Sequence, residues 1–174
     1  MSSKVVVLLD TGIDKKAFRQ CLIGGKHFYA KGSSICCDDD FNDNNGHGSA
    51  CAYIIKSLCP SAKFYAIKIL DQKAETVYPI LEMALEYCLS LEYHVINLSL
   101  AMLDNKVNDR FSKLCDKLRQ KGKIVLSSVY NGYTESYPAA YRSVIGVRGS
   151  RFLNTGQVFI LTIDLIFVWL YNLR

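Results

Sequence analysis

Two residues in the N-terminal third have the type and the setting for acid–base chemistry. In "VVVLLDTGID", residues 5–14, a run of apolar residues leads straight into Asp10 and a tight turn. A carboxylate at the mouth of a buried strand sits where α/β sheets gather functional groups. In "NNGHGSACAYIIKSL", residues 44–58, His47 stands between two glycines at the start of an apolar helix. The glycines let the backbone turn tightly and leave the imidazole unobstructed. The positive end of the helix dipole disfavours the imidazolium, an effect expected to keep His47 available as a base. A carboxylate that orients such a ring, and stabilises the imidazolium formed during attack, supplies two-thirds of a Ser-His-Asp system.

The elements that must hold these residues alternate along the chain. Residues 4–9 form a β-branched run with no polar face, as a strand covered on both sides requires. "KFYAIKIL" (63–70), "HVINLSL" (94–100), "KIVLSSV" (123–129) and "SVIGV" (143–147) are further strand candidates. A helix is predicted from Thr76, with Val77, Ile80, Leu81, Ala84, Leu85 and Cys88 at helical spacing and Pro79 in the first turn, where it is tolerated. A second helix is predicted over 105–121, with Gly122 as its C-cap. Alternating strands and helices with short connections imply an α/β fold: a three-layer, mainly parallel sheet flanked by helices.

On this frame "DTG" has three readings. It is similar to the motif of aspartic peptidases, but their chemistry needs a β-rich fold and a second equivalent aspartate. Haloacid-dehalogenase-type phosphatases also place an aspartate after an apolar strand, with a second aspartate two residues on, where this chain has Gly12. The third reading joins Asp10 to His47. Here the chain resembles the subtilisin-like serine peptidases. "VVLLDTGID" resembles their aspartate segment and "NGHGSACA" their histidine segment, with Ser49 where the family commonly has threonine. The order Asp before His is also theirs. "VINLSLA" (95–101) resembles the strand that pairs with bound peptide, with Ala101 standing about where glycine is usual. "IVLSSVYNG" (124–132) resembles the segment of the oxyanion-hole asparagine, with Tyr130 in place of glycine. "YPAAYRSVIGV" (137–147) and "FLNTG" (152–156) fit the family's continuation. The resemblance implies His47 as general base, Asp10 as its orienter and Asn131 as oxyanion donor. It implies substrate binding by Ser99, Leu100 and Ala101. His27 and His94 lie outside these motifs and read as structural.

The nucleophile is a different matter. The family carries its serine in a "GTSMA"-type segment, and no such segment follows Asn131 in this sequence. Ser136, Ser143 and Ser150 all lack the flanking pattern. The expectation is a subtilisin-like domain over 1–156, incomplete at its C-terminus, followed by a divergent hydrophobic tail over 157–174. That tail, "QVFILTIDLIFVWLYNLR", is short for a transmembrane helix, which needs about 20 apolar residues. Asp164 within it would cost about 2.5–3.5 kcal/mol at a helix centre, which disfavours membrane insertion. Read as a strand pair it lacks a turn signal, and a shifted reading frame is a further reading. The function implied is a serine endopeptidase by family that is inactive as this chain. The alternative is a non-catalytic peptide-binding or regulatory protein.

Composition narrows the partners. At 174 residues, half of them apolar, the chain suits one domain with a real core. A formal charge of +5 without a dense basic run argues against nucleic acid. Seven cysteines is an odd count, and the short apolar N-terminal stretch does not make a signal peptide, so reduced thiols in the cytoplasm are expected. Cys36 and Cys37, ahead of His47, lack the spacing of a metal site, and no metal or cofactor is expected. The expected partners are a peptide or protein substrate and a second polypeptide that supplies the missing C-terminal part.

Overall fold

A β-branched run buried on both faces folds as a central strand, and β1 (Val5–Asp10) is one, with Val7, Leu8 and Leu9 fully buried. The computed structural model describes residues 4–103, 109–132 and 135–149, together with the backbone of Val158–Leu161 and Ile166–Trp169. By its contacts the chain divides into two compact units, Met1–Ser99 and Leu100–Arg174.

In the first unit β1 is flanked by β4 (Lys63–Lys68) and β5 (Val95–Leu98), both parallel to it. Beyond β4 lies β2 (Leu22–Lys31), also parallel, and beyond that β3 (Ser34–Asp38), antiparallel to β2. Helix α1 (His47–Leu58) packs against β1 and α2 (Tyr78–Cys88) against β2. Leu8, Ile13, Phe18, Ala52, Phe64 and Ala66 form a buried cluster between sheet and helix, in which the Phe18 and Phe64 rings meet edge to face. Each large side chain buried there contributes about 1.5–3 kcal/mol. This core fixes the end of β1 relative to the start of α1.

In the second unit β6 (Ile124–Ser128) and β7 (Val144–Val147) pair in parallel, and α3 (Asp109–Gln120) packs on β6. Helix α3 has Asp109 in its first turn and Lys117 and Arg119 in its last, charges that complement its dipole. Gly122, at φ 73°, ends it as expected, and the amide of Lys123 returns to the Leu118 carbonyl. Residues 105–108 of the predicted helix lie outside the described residues.

Two departures from the sequence reading have physical causes. The β2–β3 hairpin was not expected, because "LIGGKHFYAK" interrupts its apolar residues with two glycines and charged residues, as a partly exposed strand permits. The tail was read as lacking a turn signal, yet β8 (Val158–Leu161) and β9 (Ile166–Trp169) pair antiparallel, Val158 opposite Trp169. Four residues separate them, a length usual in hairpins, so chain reversal does not depend on an Asn-Gly type signal. Strand β9 also runs parallel to β7. Among the described residues no helix is long and apolar enough to cross a membrane. "FLNTG" and the proposed boundary at 156 lie outside the described residues.

Candidate active site

Asp10 ends β1 fully buried, opposite Lys68 on β4. Its Oδ1 accepts hydrogen bonds from the Thr11 amide and from His47 Nδ1, both at 2.7 Å. Its Oδ2 is buried without a hydrogen-bond partner. His47 is the first residue of α1, preceded by Gly46 in the left-handed conformation at φ 103°. The next residue, Gly48, is where α1 touches the turn after β1: a Cβ there would overlap the Gly12 carbonyl oxygen. Glycine at 48 is thus what lets the imidazole approach the carboxylate.

A second carboxylate assembles the site. The segment holding Asp43 is tied to the turn after β1, with the Ile13 amide donating to Phe41 O and the Asp43 amide to Ile13 O. Lys68 Nζ, largely buried, donates to the Asn42 carbonyl at 3.0 Å. Asp43 Oδ1 accepts from the amides of Asn45 and Gly46 and from the Thr11 hydroxyl. Its Oδ2 accepts from the Ser49 amide at 2.9 Å and the Ser49 hydroxyl at 2.6 Å. Thr11 Oγ1 in turn accepts from the Gly48 amide. One carboxylate and one hydroxyl therefore join the aspartate turn, the histidine loop and the first turn of α1. Burial pushes the Asp43 carboxyl up, but the Ser49 hydroxyl and the amides of Gly46, Ser49 and Asn45 outweigh it and hold it at about 2.

The proton affinity of His47 is opposite to the dipole expectation. The hydrogen bond to Asp10, then that to Cys51, raise it against the lowering effect of burial, to about 10. A desolvated carboxylate at 2.7 Å outweighs the partial charge of a helix end. In this chain Nδ1 faces the Asp10 carboxylate, which favours the charged form of the ring.

Ser99 follows β5 and accepts from Cys51 Sγ at 3.4 Å and from Asn97 Nδ2 at 2.9 Å. It lies beside the Asp10–His47 pair through Cys51, whose Sγ is 4.0 Å from His47 Nδ1. Leu100, Ala101 and Asn131 belong to the second unit. There Leu100 is buried and its carbonyl accepts from Ser127 Oγ, Ala101 is half-buried, and Asn131 is exposed in a turn before Gly132. Ser136 and Ser143 are buried, and Ser150 lies outside the described residues. His27 bonds Asp38 across the β2–β3 hairpin and His94 is exposed. Cys36 and Cys37 lie on β3, and among the described residues the one group of potential metal ligands is Asp10, His47 and Cys51. Sequence reasoning missed Asp43, Thr11 and Cys51. Only Cys51 carried a local signal, its spacing of four residues from His47 on a helix.

A mainly parallel α/β sheet thus presents a buried carboxylate to a histidine at a helix start. The family profile described as "Subtilase family" matches residues 2–158, and the chain belongs to that family. It is 27% identical over 153 residues to the Thermostable alkaline protease of Halalkalibacterium halodurans, covering 82% of this chain and 40% of the relative. It is 27% identical over 158 residues to Subtilisin DY of Bacillus licheniformis, covering 82% of this chain and 54% of the relative. Among solved structures Sphericase has the same fold, with a TM-score of 0.71 at 21% identity, covering 84% of this chain and 53% of that one. The chain thus spans about half the length, or less, of the proteins it matches.

Proposed function

We propose that this chain provides the aspartate and histidine of a subtilisin-type serine endopeptidase, and that the attacking serine comes from outside these 174 residues. The observation that carries the reading is the 2.7 Å bond from His47 Nδ1 to Asp10 Oδ1, made by two residues in the family's motifs and in its order. In the reaction, His47 Nε2 takes the hydroxyl proton as the serine oxygen bonds to the scissile carbonyl carbon. It then gives that proton to the leaving amine, and water releases the acyl group by the same relay. Asp10 holds the ring and balances its charge. The family pattern gives the oxyanion to Asn131 and the peptide to Ser99, Leu100 and Ala101.

One feature supports inactivity of the chain alone. No serine in it has the nucleophile's flanking pattern. The His47 side chain is 45% exposed, and a segment covering it would disfavour its charged form. A second polypeptide carrying the serine segment is the partner this implies. In subtilisin, loss of the serine alone lowers kcat about 2 × 10⁶-fold. The described cysteines are all unpaired, which fits a reducing compartment such as the cytoplasm.

A fluorophosphonate probe tests the proposal. The purified chain alone should remain unlabelled, and addition of a polypeptide bearing the serine segment should produce labelling that His47→Ala abolishes. Stoichiometric labelling of the chain alone would overturn it. Binding of peptide with no labelling under complementation would favour the non-catalytic reading.

A further inference from the structure

Asparagine followed by glycine occurs at two places in the sequence, Asn45–Gly46 and Asn131–Gly132. Such a pair is chemically unstable, because glycine leaves its backbone nitrogen open to the asparagine side chain. All four residues are exposed, and both glycines have positive φ, 103° at Gly46 and 85° at Gly132. Their hydrogen bonding differs. We propose that Asn131–Gly132 is a spontaneous deamidation site that turns the oxyanion donor into a carboxylate, whereas the fold protects Asn45–Gly46.

In the reaction the Gly132 nitrogen gives its proton to hydroxide and bonds to Asn131 Cγ. Nδ2 takes a proton from water and leaves as ammonia, which closes a succinimide ring. Water then opens that ring at either carbonyl, to aspartate or to isoaspartate. The balance is one water consumed and one ammonia released, with no oxidant or reductant. The step needs a backbone nitrogen that can lose its proton and a side chain free to swing onto it. At 45–46 neither condition is met. The Gly46 amide donates to Asp43 Oδ1 at 2.8 Å, and a carboxylate beside that proton resists its removal. Asn45 Oδ1 accepts from the His47 amide at 3.1 Å, and its Nδ2 donates to the Gln72 carbonyl at 2.9 Å, so Cγ is held through both of its polar atoms. At 131–132, among the described residues, neither the Asn131 side chain nor the Gly132 amide has a hydrogen-bond partner. The turn is anchored one residue earlier, where the Tyr130 amide donates to Ser136 Oγ at 2.9 Å. A Cβ on either glycine would meet nothing within 4 Å, so hydrogen bonding and not crowding separates the two pairs.

The chemical consequence rests on the assignment of Asn131 as oxyanion donor. Deamidation removes the Nδ2 donor and puts a negative charge where the oxyanion would form. In subtilisin, loss of that donor lowers kcat about 10²–10³-fold.

The test reads the modification and not activity. The purified full chain is incubated at mildly alkaline pH, digested at acid pH and mapped by mass spectrometry, with isoaspartate scored by its methyltransferase. Asn131 should convert to aspartate and isoaspartate, faster as hydroxide rises. Asn45 should convert at least about tenfold more slowly, the factor expected when a hydrogen bond to a carboxylate must break first. In urea the two rates should converge. Gly132→Ala, checked for native circular dichroism, should slow conversion at Asn131 and leave Asn45 unchanged. Asn45 converting as fast as Asn131 in the native chain would overturn the inference, as would an Asn131 that stays intact until urea is added. A chain that deamidates at Asn131 but never labels with fluorophosphonate on complementation would fail the peptidase reading and leave the modification site standing. Labelling under complementation with Asn131 permanently intact would do the reverse.

Discussion

His47 and Asp43 carry the site's electrostatics, and their titrations have opposite consequences. The folded-state affinity of His47 lies above the ordinary imidazole value of 6.5, at about 10. The stability it contributes is complete below about pH 6.5 and is lost as pH rises towards 10. Urea unfolding across that window should show the native chain losing stability relative to Asp10→Asn, in which the charged partner is gone. Parallel curves for the two proteins would show that the pair is not coupled to folding. Asp43 behaves in the opposite sense. Its carboxyl is held at about 2 against an ordinary 3.8, so its contribution is present above about pH 3.8 and lost as pH falls through 2. Asp43→Ala leaves the amides of Asn45, Gly46 and Ser49 without their acceptor, which should cost about 1–3 kcal/mol in denaturant unfolding at neutral pH. It should also loosen His47, seen as broadening of its ring resonances. An unchanged midpoint would show that water replaces the carboxylate at no cost.

The contact between α1 and the turn after β1 depends on there being no side chain at 48. Gly48→Ala drives a methyl group into the Gly12 carbonyl, so α1 must shift away from β1. Overpacking of this kind costs about 1–3 kcal/mol, and the shift should lengthen the Asp10–His47 bond. Thermal unfolding would register the first effect and the ring nitrogen shifts the second; an alanine variant with native values for both would refute this account of the junction. The aspartate and histidine were legible in the sequence because their signals are local: an apolar run ending in Asp10, and His47 between two glycines before a helix. The strands and helices around them were legible for the same reason, since periodicity and end signals lie within each segment. Asp43 was not, because its partners Thr11 and Ser49 are joined to it only by folding. The β2–β3 hairpin was hidden by its glycines and lysines, and the β8–β9 pair by the want of a turn signal. The sign of the His47 shift also lay beyond the sequence, since a helix dipole and a desolvated carboxylate compete and only the 2.7 Å distance decides between them.

The first unit contains both members of the pair together with the core that positions them, so its integrity decides whether the chain has a site at all. Phe64 is fully buried on β4 and meets Phe18 edge to face, and Phe64→Ala should cost about 3–5 kcal/mol. Against a total stability of about 5–15 kcal/mol that loss is large, and it should appear as a lower urea midpoint with little change in slope. A variant as stable as the native chain would place the core elsewhere. The central claim is that these 174 residues alone bring a buried carboxylate against a histidine in the subtilase manner. Titration of the His47 ring by nuclear magnetic resonance in the purified chain tests it most directly. The account predicts a midpoint far above 6.5, near 10, with a deshielded Nδ1 proton, and a return towards the ordinary value in Asp10→Asn. A midpoint near 6.5 that Asp10→Asn leaves unmoved would contradict it.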